Sequence, residues 1–249
     1  MKITLTSPQG TKLAGRLDEP DGDAKTYAVL AHCFTCSKDL PGLSRIARGL
    51  LQEGIGVLRL DFMGLGESGG EFEDGSFTAD VEAVIAAGDW LAAERKAPTL
   101  LVGHSMGGAV SLVAARQLES VQAVATIGAP AEAQAVTRHF ASQLQEVRTD
   151  GRAEVVLAGR TFVITREFLE DLESQEVERA VEELALPVLI LHSPQDQVVP
   201  VDHGTRLFQA ARNASFLSLD GADHLLGKPG IGEWVGRITA FWWHSPLHR

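Results

Sequence analysis

Cysteine is almost absent from the 249 residues: only Cys33 and Cys36 occur, so no disulfide framework holds this chain together. Basic residues are also short. There are 22 Lys and Arg against 33 Asp and Glu, which leaves a net charge of −11. That balance argues against nucleic acid as a partner, because binding phosphates takes clustered Lys and Arg, and it disfavours an anionic membrane surface. No apolar run approaches the ~18 residues of a spanning helix. Residues 1–8 carry no long apolar stretch, so no secretory leader is expected and the cytoplasm is the expected location. Internal repeats and low-complexity stretches are lacking too. What remains is 45% hydrophobic and 22% charged, the composition of a globular protein with a sizeable core.

The most informative stretch is residues 100–109, Leu-Leu-Val-Gly-His-Ser-Met-Gly-Gly-Ala. An apolar strand runs into Gly-x-Ser-x-Gly, and a helical apolar pattern follows at once. Ser105 then lies at the apex of a sharp turn, where Gly103 and Gly107 avoid collisions that a Cβ would cause. Its backbone also lies at a helix N-terminus, where free N–H groups favour negative charge. The bland alternative is a glycine-rich turn with a solvated serine.

The rest of the chain alternates strands with helices. Residues 2–6 and 12–17 read as an edge hairpin, and residues 27–31 as a strand buried on both faces. Apolar residues at helical spacing follow between Leu43 and Leu51, then a strand at 57–62 and a helix at 77–95. After residues 123–127 the rhythm breaks. Residues 131–185 hold 12 acids and 6 arginines but no lysine, and read as helix, hairpin near Gly159, then helix. Strands at 188–192 and 215–219 resume the pattern, with helices at 201–212 and 231–243. The expected architecture is a single α/β domain, residues 1–249. Its mostly parallel sheet has helices on both faces and a small, largely helical cap inserted at 131–185. Apolar cap residues Phe140, Leu144, Phe162, Phe168, Leu169 and Leu172 either face a cleft or pack the cap down.

Serine is a poor nucleophile unless a base, held by a third group, takes its proton. Loops at the C-terminal ends of parallel strands share one crevice, so the partners are sought there. The strand at 188–192 ends in a loop with Asp196, and that at 215–219 in a loop with His224. The order Ser105, Asp196, His224 is one that a serine nucleophile on such a sheet uses. His224 is the expected base and Asp196 the group that orients it. Taken singly, His224 reads as a loop histidine and Asp196 as a helix cap. Asp220 and Asp223 lie too close to His224 in sequence to approach it from another loop.

These pieces, with the His32-Cys33-Phe34 loop and residues 61–68 (Asp-Phe-Met-Gly-Leu-Gly-Glu-Ser), resemble the α/β-hydrolase family over essentially the whole chain. The chain is most similar to a bacterial serine-esterase subgroup often fused to an OsmC-type peroxide-reducing domain. The resemblance implies an eight-stranded sheet with one antiparallel strand and carboxyl-ester hydrolysis. It also implies an oxyanion hole built from the Phe34 and Met106 amides. Where many members carry His-Gly, this chain has His32-Cys33.

Two other signals compete. Residues 64–69 match Gly-x-Gly-x-x-Gly after a strand, but an acidic stretch follows where a dinucleotide site needs a helix. Cys33 and Cys36 beside His32 lack the second ligand pair of a zinc site and read as two small buried thiols. A disulfide across that spacing is sterically feasible. The expected protein is therefore a serine esterase that cleaves small-molecule carboxyl esters of short acyl chains through an acyl-enzyme, without cofactor or metal. Alternatives are a thioesterase, a small peptidase, or a noncatalytic partner of a redox protein. A second copy of the chain and a peroxide-reducing protein stay open as partners.

Overall fold

The computed structural model describes residues 1–245. Eight strands form one sheet: β1 (Lys2–Thr6), β2 (Lys12–Asp18), β3 (Thr26–Ala31), β4 (Ile55–Leu60), β5 (Leu100–His104), β6 (Ala123–Ile127), β9 (Val188–His192) and β10 (Ala214–Ser218). Their spatial order is β1-β2-β4-β3-β5-β6-β9-β10. β2 is antiparallel to both neighbours, and every other pairing is parallel. β3, β5, β6 and β9 lie in the interior of the sheet and every residue in them is buried. That burial explains their continuous apolar runs.

Alternate residues along these strands feed two separate cores. Ala28, Leu30, Leu100, Val102 and Leu189 face α1 (Pro41–Gln52) and α8 (Ile231–Trp243). Val29, Leu101, Val124 and Ile190 face α2 (Phe77–Glu94), α3 (Met106–Ala114) and α7 (Val201–Ala210). The period of two in a strand thus builds the three-layer sandwich.

Residues 131–185 lie between β6 and β9. They comprise a 310 segment, Ala133–Gln143, kinked at Phe140, then α4 (Leu144–Asp150), a hairpin of β7 (Arg152–Leu157) and β8 (Arg160–Thr165), α5 (Arg166–Ser174) and α6 (Val177–Glu183). The order helix, hairpin, helix is the one expected from the sequence. Ala158 and Gly159, both at positive φ, make the hairpin turn. Phe140, Phe162, Phe168, Leu169 and Leu172 are buried and pack the segment down. Phe34, Phe72, Phe140, Phe162 and Phe168 form one aromatic cluster, with ring centroids 4.6–6.4 Å apart across the contacting pairs. The residues of this segment that line the cavity beneath it are others, among them Ala133, Val136, Leu157 and Arg160.

Candidate active site

Ser105 joins β5 to α3 with φ 54° and ψ −126°, a conformation that costs a non-glycine residue about 1–3 kcal/mol. Its neighbours permit the turn. A Cβ on Gly103 would lie 2.1 Å from the Gly107 carbonyl oxygen, and one on Gly107 would lie 2.4 Å from that of His32. The Ser105 N–H donates to the Ile127 carbonyl at 2.8 Å, which ties the turn to β6. Met106 supplies the first amide of α3.

Two later loops meet beside this turn. Asp196 follows β9, and its Oδ1 accepts the Val198 and Val199 amides at 2.8 and 2.9 Å. Its Oδ2 accepts His224 Nδ1 at 2.8 Å. Burial opposes ionisation of Asp196, but His224 and the two amides outweigh it and hold the carboxyl below its usual range. A carboxylate only accepts, so the His224 proton sits on Nδ1 and Nε2 is left with a lone pair. Ser193 Oγ donates to the Ala222 carbonyl at 2.6 Å and joins the two loops directly. The end of β6 leaves room for the pair. Gly128 has φ 57°, and a Cβ there would lie 3.1 Å from Asp196 Oδ2 and 3.4 Å from His224 Nδ1.

His104 lies under His224, with ring centroids 4.9 Å apart, and its Nε2–H donates to the His224 carbonyl at 2.7 Å. Burial, helped by the neighbouring His224, pushes its pKa down to about 3. His104 therefore stays neutral and keeps the donor that anchors the His224 backbone. Sequence reading met His104 only inside the Gly-x-Ser-x-Gly motif and missed the parts played by Ser193 and Gly128. The x of Gly-x-Ser-x-Gly was the one available signal for His104.

The loop after β3 forms the facing wall. His32 accepts the Phe62 N–H at Nε2, 3.1 Å, so its Nδ1–H donates to the Cys33 carbonyl at 2.7 Å. Burial holds the His32 pKa down to about 4. That carbonyl belongs to the peptide whose N–H is that of Phe34. Cys33 and Cys36 are joined by a disulfide, with Cα atoms 5.3 Å apart, which corrects the expectation of two free thiols. A buried ion cluster holds the far end of the loop. Lys38 Nζ bonds Asp61 and Glu67, each at 2.7 Å, and the Lys38 N–H donates to Asp61 Oδ1 at 2.6 Å. Burial opposes the Lys38 charge, but these carboxylates and Asp39 raise its pKa overall.

Ser105, Met106, Phe34, Cys36 and His224 all line one cavity of about 900 Å³. Val136, Leu157 and Arg160 of the 131–185 segment line its opposite side. No hydrogen bond joins Ser105 Oγ to His224 among the described residues. The arrangement presents a serine hydroxyl, an imidazole lone pair and the first amide of a helix to one space. No group of three or more His, Cys, Asp or Glu side chains among the described residues is placed to hold a metal ion. The glycine loop at 64–69 wraps the Asp61 carboxylate, which lies 2.2 Å from where a Gly66 Cβ would sit. A single 310 turn follows it at Phe72–Asp74, so no helix N-terminus faces that loop. No helix among the described residues is long and apolar enough to cross a membrane.

Residues 28–228 match the alpha/beta hydrolase family, and the chain belongs to that family. The esterase domain of a Rhodothermus marinus protein is 42% identical, with a TM-score of 0.79 over 97% of this chain and 96% of that one. Est1E from Butyrivibrio proteoclasticus, solved with ferulic acid bound, shares the fold at 21% identity and TM-score 0.80, over 99% and 100% of the two chains. Human protein ABHD12B is 27% identical over 68% of this chain; the match spans 45% of that protein. The chain is thus an alpha/beta hydrolase whose solved relatives include esterases.

Proposed function

We propose that the chain is a serine carboxylesterase that cleaves short-chain esters through an acyl-enzyme. The observation that carries this reading is the 2.8 Å bond from His224 to Asp196, with His224 lining the same cavity as a serine held at φ 54°. Ser105 Oγ attacks the ester carbonyl while His224 Nε2 takes its proton. Asp196 fixes the tautomer and stabilises the imidazolium. The Met106 and Phe34 amides receive the oxyanion; neither donates to another protein group among the described residues. The alcohol leaves with the proton from His224, and a water repeats the cycle on the acyl-enzyme.

Residues 131–185 act as a lid on this domain, and their Val136 and Leu157 bound the acyl space. A panel of aliphatic esters, with Ser105→Ala as control, tests the reading. Short acyl chains give the higher kcat/KM. Equal turnover of sixteen-carbon esters removes the size filter, and equal turnover by Ser105→Ala removes the serine mechanism.

A further inference from the structure

The disulfide occupies an unusual place. It closes a four-residue ring, Cys33-Phe34-Thr35-Cys36, in the wall of the cavity that Ser105 faces. Stabilisation by a cross-link grows with the loop it closes, and a ring this small lies at the bottom of that scale. The domain has two extensive cores and does not need a staple to fold. The two cysteines also differ in exposure. Both line the cavity, but Cys33 is only 6% exposed while Cys36 is half-buried.

The ring holds the peptide between Cys33 and Phe34. Its carbonyl accepts His32 Nδ1–H at 2.7 Å and the Cys36 N–H at 3.2 Å. The other end of that peptide is the Phe34 amide. The Phe34 ring is anchored in the aromatic cluster under the 131–185 segment. The disulfide thus fixes the turn that carries this amide in the cavity wall.

We propose that Cys33–Cys36 is a thiol–disulfide exchange site, open to thiols through the cavity, and that its redox state sets the rate of ester hydrolysis. The control of rate rests on the esterase reading; the exchange does not. A thiolate entering the cavity attacks Cys36 Sγ, forms a mixed disulfide there and releases the Cys33 thiolate. A second thiolate attacks the entering sulfur, releases the small-molecule disulfide and leaves Cys36 as a thiolate. Two electrons pass from the two thiols to the protein pair, and both cysteine sulfurs take up protons. The reverse reaction, with a small-molecule disulfide as oxidant, restores the ring. Once opened, the turn keeps only its hydrogen bonds, and the Phe34 amide no longer holds one position.

The test equilibrates the full chain in mixtures of reduced and oxidised dithiothreitol. Protein thiols are counted by mass after alkylation. Unalkylated samples are assayed with methyl butyrate by acid release, and labelled with a fluorophosphonate. The thiol count should rise from zero to two, and kcat should fall with it by about tenfold, less than the ~10²–10³ cost of a wholly lost oxyanion donor because the amide is loosened and not removed. Oxidised dithiothreitol should restore the rate. Cys33→Ala/Cys36→Ala and Cys36→Ser alone should both stay at the low rate in every mixture. An unchanged kcat when two thiols have appeared overturns the proposal, as does a pair that stays closed in excess dithiothreitol. So does a cysteine variant with the oxidised rate. A different failure, with neither turnover nor labelling of the oxidised protein, strikes the esterase reading and leaves the thiol count to judge the exchange site.

Discussion

The two walls of the cavity are built differently. On the base side hydrogen bonds alone hold the strand-end loops: Asp196 bonds the amides of its own loop, Ser193 ties that loop to Ala222, and His104 on β5 holds the His224 carbonyl. On the Phe34 side a covalent cross-link and a buried ion pair are added. A disulfide, the His32 bridge to Phe62 and the Lys38–Asp61 ion pair keep it in place. Hydrogen bonds at the ends of adjoining strands give a site that holds its geometry. A loop pinned by a cross-link and an ion pair holds its geometry only while both persist. The base side should therefore fail through chemistry, and the Phe34 side through position.

The largest effects test the first half of that contrast. Ser105→Ala and His224→Ala should each lower kcat by ~10⁴–10⁶ with the fold intact, read by steady-state kinetics and circular dichroism. A variant keeping a tenth of the wild-type kcat breaks the assignment. Asp196→Asn should cost up to ~10⁴ in kcat, because an amide can donate to Nδ1 and turn the imidazole to the wrong tautomer. Activity should also fall at acid pH, since an imidazolium cannot accept the serine proton; a flat profile for a chemistry-limited ester would contradict His224 as base.

On the other wall, Lys38→Met should act through stability. It leaves Asp61, fully buried, without its cation, at a cost of about 3–5 kcal/mol in urea unfolding. A loss under about 1 kcal/mol would show that the ion cluster is not what pins the loop.

The smallest effect separates the walls by pH. Burial lowers the folded pKa of His104 to about 3 and of His32 to about 4, from 6.5. Below 6.5 the unfolded chain binds protons that the folded chain refuses, so stability falls as pH drops towards 4. Asp196 adds a further loss at lower pH, when its depressed carboxyl finally protonates. His104→Phe should remove about one proton from this dependence, measured as the pH slope of the unfolding free energy. An unchanged slope would mean that His104 is charged in the folded protein.

Much of the first wall was legible in the sequence. Gly-x-Ser-x-Gly between an apolar strand and a helix located Ser105, and chain order at the strand ends pointed to Asp196 and His224. Those signals are local, set by strand period and turn geometry. The partners that fix the base are not local. Ser193 to Ala222 spans 29 residues and His104 to His224 spans 120, and no spacing rule connects them. The second wall was less legible for the same reason. Two cysteines three apart fit a disulfide or two thiols equally well, and tertiary approach decides between them. The aromatic residues of 131–185 shared this ambiguity, and the structure turns them towards packing. The lining falls to Val136, Leu157 and Arg160, which no apolar pattern singled out.

The central claim, that Ser105 is the nucleophile served by His224, is tested most directly by mass spectrometry of the intact chain after brief exposure to a fluorophosphonate. The account predicts one adduct per chain, mapped by peptide sequencing to Ser105, formed in step with loss of ester turnover and abolished in His224→Ala. An adduct on another residue, or full turnover by a chain modified at Ser105, would contradict it.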